Sequence, residues 1–284
     1  MTGCLYHTHK LQTVVPSGAV MNADATKLAS ILSQTYSTVQ TLKATVDLQA
    51  SVGGTQKGSV TDYTSFRGFI ILRKPEMLRV IGLLPVVRTQ AFDLVSDGTT
   101  FKLYIPSKTE VVEGKNSVTT RSPNPLLNLR PGMFFDSMLI RPVAPEDEVS
   151  LTTDENVRQD PKTKKWVEDR YYLLSIVRAK SEPTGTSAFR ELVPRRVIRF
   201  SREDLRPIEQ EVYDAQGNIE TITQYGALQG FGTERFPGTI TIKRPQEEYQ
   251  IAMTIERLSL NQTLADDQFQ LLDIPEGVKI QKLD

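Results

Sequence analysis

Polar and apolar positions in this chain repeat with two periods, and the change between them comes early. Leu28, Ile31, Leu32, Val39 and Leu42 recur at helical spacing, with Lys27, Ser30 and Gln34 on the opposite side and Asn22 and Asp24 as N-cap candidates. From about Thr45 the period becomes two. Thr45–Val52, Phe66–Arg73, Met77–Ile81, Thr89–Ser96, Thr100–Ile105 and Glu110–Glu113 read as one series of strands. Trp166–Val177, Leu192–Phe200, Leu205–Tyr213, Ile219–Tyr225, Gly238–Lys243 and Tyr249–Leu258 read as a second. Turn residues separate them, among them Gly53-Gly54, Lys74-Pro75, Asp97-Gly98 and Gln216-Gly217-Asn218. Short consecutive strands without long helices between them predict an antiparallel meander, closed into a barrel or strongly curved.

Between the two series the alternation stops. Ser122–Pro142 carries internal prolines and two apolar clusters, Leu126-Leu127-Leu129 and Met133-Phe134-Phe135-Met138-Leu139-Ile140, of which the second suits a short helix beginning after Pro131. Inserted halfway through a barrel, such a segment can lie across its mouth. Two readings stay open: a mobile lid built on Phe134, Phe135, Met138 and Leu139, or a helix packed as ordinary core. Ala144–Lys165 is polar and charged and reads as a strand edge with exposed loops, and Leu5–Gly18 as a polar tether. The expected organisation is a tether over residues 1–20 and one domain over 21–284.

Composition narrows the function. Lys+Arg and Asp+Glu both number 34, which argues against a nucleic-acid binder, since that needs a basic field. One Trp and 7% aromatic residues leave little for base or sugar stacking. No apolar run approaches the ~20 residues that span a bilayer as a helix. Both histidines, His7 and His9, fall in the tether, so no core histidine serves a catalytic triad or a zinc site, and neither a phosphate-binding glycine loop nor a G-x-S-x-G elbow occurs. A carboxylate-only hydrolase is the one catalytic class the residues leave open. The chain reads as a monomeric binding protein with no metal or cofactor.

Two resemblances sharpen that reading. Thr2-Gly3-Cys4 is similar to the end of a bacterial lipobox, with Met1 where Leu is usual. It implies a signal peptide upstream of residue 1 and a lipid anchor on Cys4, the single cysteine. Arg73–Gly114 (RKPEMLRVIGLLPVVRTQAFDLVSDGTTFKLYIPSKTEVVEG) and Leu260–Ile280 (LNQTLADDQFQLLDIPEGVKI) resemble segments of the LolA/LolB lipoprotein-localisation superfamily. The resemblance implies a mainly β (α+β) fold: a half-open antiparallel barrel with an N-terminal helix and a mid-chain helical lid over an apolar cavity for acyl chains. It implies an outer-membrane protein facing the periplasm that receives lipoproteins or lipids, with a periplasmic carrier protein as a possible donor. A structural envelope scaffold without a ligand is the alternative.

Leu83, Leu84, Pro85, Val86 and Val87 are the candidate membrane or transfer loop, because Pro85 disfavours a central strand and leaves apolar neighbours exposed. Packing of Leu83, Leu84 and Val87 under the lid is the alternative. The expected cavity lining comes from alternation: Phe69, Ile71, Leu78, Val80, Phe92, Leu94, Phe101 and Leu103, continued by Ile176, Ile198, Ile240 and Ile255. Alternation alone does not say whether that face is hollow or filled.

Overall fold

The computed structural model describes residues 9, 11, 13–117, 128–180, 191–271 and 274–283. Cys4, His7, Leu126 and Leu127 lie outside the described residues. The described chain is mainly strand: β1 (Val14–Pro16), β2 (Thr41–Gly54), β3 (Ser59–Asp62), β4 (Phe66–Arg73), β5 (Met77–Leu83), β6 (Gln90–Ser96), β7 (Thr100–Ile105) and β8 (Glu110–Lys115). After the mid-chain insertion follow β9 (Glu148–Gln159), β10 (Trp166–Ala179), β11 (Leu192–Ser201), β12 (Pro207–Tyr213), β13 (Ile219–Tyr225), β14 (Leu228–Phe231), β15 (Glu234–Pro237), β16 (Thr239–Arg244), β17 (Tyr249–Leu260) and β18 (Lys279–Leu283). The helices are α1 (Ala25–Thr38) and α2 (Pro131–Met138).

One sheet runs in the order β10-β11-β12-β13-β16-β17-β2-β4-β5-β6-β7-β8-β18, and β9 pairs with the outer side of β10. The two ends are not joined to each other, so this is a half-open barrel, as the resemblance implies. The halves meet where β17 pairs with β2, antiparallel over Tyr249–Leu260. β14 and β15 make a separate hairpin. The chain enters through β1, which pairs in parallel with Trp166–Glu168 of β10; the polar tether is therefore docked from Val14 onward rather than free. Ser17 donates to Glu203 Oε1 at 2.6 Å and extends that attachment.

The helix starts where the sequence places it. Asp24 caps α1, accepting a hydrogen bond from Lys27 N at 2.7 Å. It ends earlier than the periodicity suggests: Val39 is already extended and Leu42 belongs to β2, so both join the sheet core rather than the helix face. Leu28 and Leu32 are the buried helix positions, packed with Leu174, Ile176, Ile198 and Phe200 of β10 and β11. A larger core fills the inner face from β16 to β8 beneath α2, and includes Leu42, Val46, Ile70, Leu78, Leu94, Leu103, Ile242 and Met253.

On β4 the inner face is one residue out of step with the expectation. Ile70 and Leu72 face inward, opposite Val80 and Leu78, while Ile71 joins Leu264 and Phe269 on the outer side and Phe69 shares that outer face. The cause is double-sided burial. The C-terminal segment folds back over the outer face as a short 3₁₀ turn, Asp266–Phe269, held by Arg73 to Asp266 and by Arg79 Nη1 to the Gln268 carbonyl at 3.2 Å. A strand covered on both faces shows a continuous apolar run, here Phe69–Leu72, in which alternation carries no register.

Leu28 is fully buried between α1 and the β10–β11 pair. Leu28→Ala is expected to lower unfolding free energy by about 3 kcal/mol in urea denaturation, the cost of a core cavity that neighbours only partly fill.

Candidate functional site

Where the inner face leaves the cover of α2, a cavity of about 630 Å³ opens. Its walls are Leu48, Ala50 and Val52 of β2, Tyr249 and Ile251 of β17, and Phe66 and Phe92 at the starts of β4 and β6. Phe134 of α2 and Leu129 close its inner end, and Leu84 and Pro85 stand at its rim. Among the described residues no charged side chain lines it. Aliphatic and aromatic side chains make most of the wall, with Ser51, Tyr63, Thr64 and Gln250 as its other polar members besides Tyr249, so the space favours a mainly apolar guest.

Glycine shapes one wall. Phe66 and Phe92 pack edge to face with centroids 6.2 Å apart, and a Cβ on Gly82 would come within 2.5 Å of the Phe92 ring. The aromatic pair fits only because that position carries no side chain.

The rim loop joins β5 to β6. Leu83 is the last residue of β5, and the loop is closed by Leu84 N to Thr89 O at 2.7 Å and Arg88 N to Leu84 O at 3.0 Å. Val86 is 97% exposed, Val87 65% and Leu84 42%, so these side chains do not pack under the helix. Val86 also has φ 68° at the centre of a turn closed by Val87 N to the Pro85 carbonyl at 2.8 Å, a positive-φ conformation that costs a β-branched residue about 1–2 kcal/mol. An apolar side chain is thus held in solvent by a strained backbone at the mouth of an apolar cavity. Tyr63, 51% exposed, stands on the opposite rim.

The insertion is a docked plug. Phe134, Phe135, Met138 and Leu139 are all buried, and of the four only Phe134 reaches the cavity. Polar contacts fix α2 across a stripe on β12 and β13. Ser137 Oγ and Thr223 Oγ1 are 2.7 Å apart, Gln210 donates to the Asp136 carbonyl at 3.3 Å, and Arg196 donates to the carbonyls of Arg141 and Pro142, both at 2.7 Å. Tyr249 Oη donates to the Asn128 carbonyl at 3.1 Å and ties the entry to the helix. Burial raises the Tyr249 phenol well above its ordinary range, so it stays a donor at any physiological pH. Burial also raises the Asp136 carboxyl, against the pull of Arg141, which bonds both Asp136 and Glu76.

Of the eight strand residues expected to line the cavity, Phe92 borders this one, and Phe101 borders instead a separate hollow beside the Asp266–Phe269 turn. Leu78, Val80, Leu94 and Leu103 are fully buried and Phe101 nearly so, as filled core; Phe69 and Ile71 are on the other face. Ile240 and Ile255 are likewise core beneath α2, and Ile176 and Ile198 lie under α1. The lining that alternation missed comes from β2 and β17, whose inward residues Leu48, Ala50, Val52, Tyr249 and Ile251 alternate as clearly as the others.

Two further hollows differ in chemistry. One of about 290 Å³ behind α2 is lined by Arg130, Asp136, Glu220 and Arg244 among others. Another of about 640 Å³ beside the Asp266–Phe269 turn includes Arg73, Asp97, Lys102 and Asp266. Among the described residues no group of His, Cys, Asp and Glu is arranged to hold a metal, and no helix is long and apolar enough to cross a membrane.

No protein-family model matches this chain, and no curated protein matches its sequence. Solved structures do match. A LolA superfamily protein from Nitrosomonas europaea superposes with a TM-score of 0.53 at 13% identity, over 88% of this chain and 99% of that one. This chain shares its fold with that protein. A DUF1329 family protein from Desulfovibrio piger has the same architecture, with a TM-score of 0.51 at 14% identity over 87% of this chain and 95% of the other.

Two outcomes test the site as described. Val86→Asn is expected to stabilise the protein by about 1 kcal/mol in thermal or urea denaturation, since Asn tolerates the left-handed backbone. Thr223→Val is expected to cost about 1–3 kcal/mol by leaving the Ser137 hydroxyl buried without its partner, and to speed amide hydrogen exchange in α2 relative to α1.

Proposed function

We propose that this protein binds an acyl chain, of a lipoprotein or a lipid, in the cavity between β2, β17 and the β5–β6 loop, and passes it to or within the outer membrane. The observation that carries the reading is the uncharged cavity of about 630 Å³ with Leu84, Val86 and Val87 exposed at its mouth. Burying alkyl surface there releases about 25 cal/mol per Å² removed from water. The same three residues offer an apolar contact to a bilayer or to a donor's lipid, so the chain can move between them without crossing water. The LolA-superfamily fold agrees with lipoprotein handling, and the lipobox-like Cys4 agrees with a lipid-anchored protein of the bacterial cell envelope. A periplasmic carrier protein is the proposed donor. The role is binding rather than catalysis: transfer runs toward whichever site has the greater apolar affinity.

Phe134 is the part of the insertion that meets the guest. α2 itself stays latched to β12 and β13, and adaptation is confined to Phe134 and the rim. The competing reading, an envelope scaffold without a ligand, draws on the filled core between β4 and β8.

Native mass spectrometry of the protein, with organic extraction of what co-purifies, distinguishes them. A reproducible acyl-bearing ligand at near one-to-one occupancy supports the cavity reading. Ala50→Trp, which fills the cavity, is expected to abolish that occupancy while leaving the thermal midpoint close to the parent's. Leu84→Glu is expected to retain the ligand but slow its delivery to liposomes at least tenfold, about 1.4 kcal/mol in barrier. An apo mass unchanged after mixing with lipids and lipopeptides would move the assignment to the scaffold.

A further inference from the structure

The two ends of the sheet are defended differently. At one end β18 carries Lys279 and Lys282 within five residues, the charged side chains by which edge strands discourage pairing. At the other end β9 runs for 12 residues, Glu148–Gln159, without Lys, Pro or Gly. Its register with β10 is unbroken from Glu148↔Val177 to Gln159↔Trp166, so no bulge turns it away. Among the described residues nothing pairs with its outer edge, and Val149 and Val157 are 41% and 46% exposed.

The sequence of β9 is complementary to itself. Laid antiparallel against a second copy with Thr153 on the two-fold axis, it sets Val149 opposite Val157 and Ser150 opposite Asn156, each twice, and brings Glu148 opposite Arg158, whose guanidinium also bonds Asp169 of its own chain. Thr152 then meets Asp154, and Leu151 lies along the stem of Glu155. Moving the axis one residue to Asp154 would put two aspartates face to face, which disfavours that register. Inner-face residues meet inner-face residues, which continues the sheet from one molecule into the next. With 34 positive and 34 negative side chains, two copies meet without net repulsion.

We propose that β9 is a homodimerisation edge at which two copies join their sheets across a two-fold axis through Thr153. The contact is isologous and closed, so it yields dimers rather than fibres. It supplies about ten backbone hydrogen bonds, since alternate pairs among eleven each exchange two. One strand pair buries less than the ~1,200 Å² of standard stable interfaces, so the dimer is weak and concentration-dependent. It leaves the cavity untouched, because β9 lies at the far end of the sheet from β2 and the β5–β6 loop.

The test is sedimentation velocity of the chain carrying Cys4→Ser, which removes its single thiol, across a concentration series. A monomer–dimer equilibrium in the micromolar range is expected. Thr153→Lys places two ammonium groups opposite each other at an exposed position, and is expected to weaken association at least about tenfold with unchanged circular dichroism. In the same background Thr153→Cys is expected to form an interchain disulfide under mild oxidation, since directly opposed Cα atoms at about 4.5–5.5 Å suit one. Asn156→Cys is expected not to, its two copies being about 20 Å apart along the strands. A monomer at the highest soluble concentration overturns the proposal. So does a dimer that Thr153→Lys leaves intact, or equal cross-linking by both cysteines.

Discussion

An open sheet with one apolar face must have that face covered, and this chain has little helix with which to do it. Thirteen strands from β10 to β18, at about 4.8 Å each, present a face about 60 Å around its curve. Helices of 14 and 8 residues are only about 21 Å and 12 Å long. Curvature solves part of the problem, since β4 to β8 fold toward α2 and their side chains meet in a filled core. α1 covers β10 and β11. What remains uncovered is the strip along β2 and β17 beyond Phe134, and there the deficit becomes the cavity. The hollow is thus the part of the inner face that the covering elements do not reach.

The position of α2 decides how large that part is, and polar groups fix that position. An all-apolar inner face would let a short helix rich in Phe and Met settle at several places with similar energy. Gln210, Thr221 and Thr223 interrupt the face on β12 and β13, and all three are buried. A buried hydroxyl or amide costs stability unless it is bonded, so the helix settles where Ser137 meets Thr223 and the Asp136 carbonyl meets Gln210. Arg196 satisfies the carbonyls just past the helix and so bars sliding in the other direction. The stripe trades some apolar burial for a defined register, and the cavity boundary at Phe134 follows from it.

Most strands were legible in the sequence because most have one wet face, and alternation reports that directly. It failed on β4, where the turn containing Phe269 covers the outer face and Phe69, Ile70, Ile71 and Leu72 are apolar without a break. It also failed to separate cavity from core. Leu94 and Ile251 are both inward-facing aliphatic residues, yet one is sealed by neighbours and the other borders a hollow. That difference lies in the placement of α2, set by contacts between residues as much as 116 positions apart, as Met133 and Tyr249 are. The rim was legible for the opposite reason: its signal is local, a proline ending a strand amid exposed apolar residues. β9 falls in the stretch read as a strand edge, whereas β1 and β18 were hard to see because each is short and lies at or near a sheet edge, so polarity there reads as loop.

The strain at Val86 bears on how rim and cavity act together. A surface turn under no other demand would place Gly or Asn at φ 68°, because a β-branched residue there costs stability and its exposed side chain recovers none. Thr109, also exposed, holds positive φ elsewhere in the chain, so what distinguishes Val86 is an apolar side chain in that conformation at the cavity mouth, where a covering surface would bury it. Burial of a whole valine is worth about 1.5–3 kcal/mol, which is at least as large as the strain. On the proposed reading, apolar matter covering the mouth would bury that side chain and offset the strain. Val87 and Leu84, exposed on the same turn, add to that relief. On that reading the rim would favour the covered state without a hinge or a moving helix, in keeping with the bonds that hold α2 to β12 and β13.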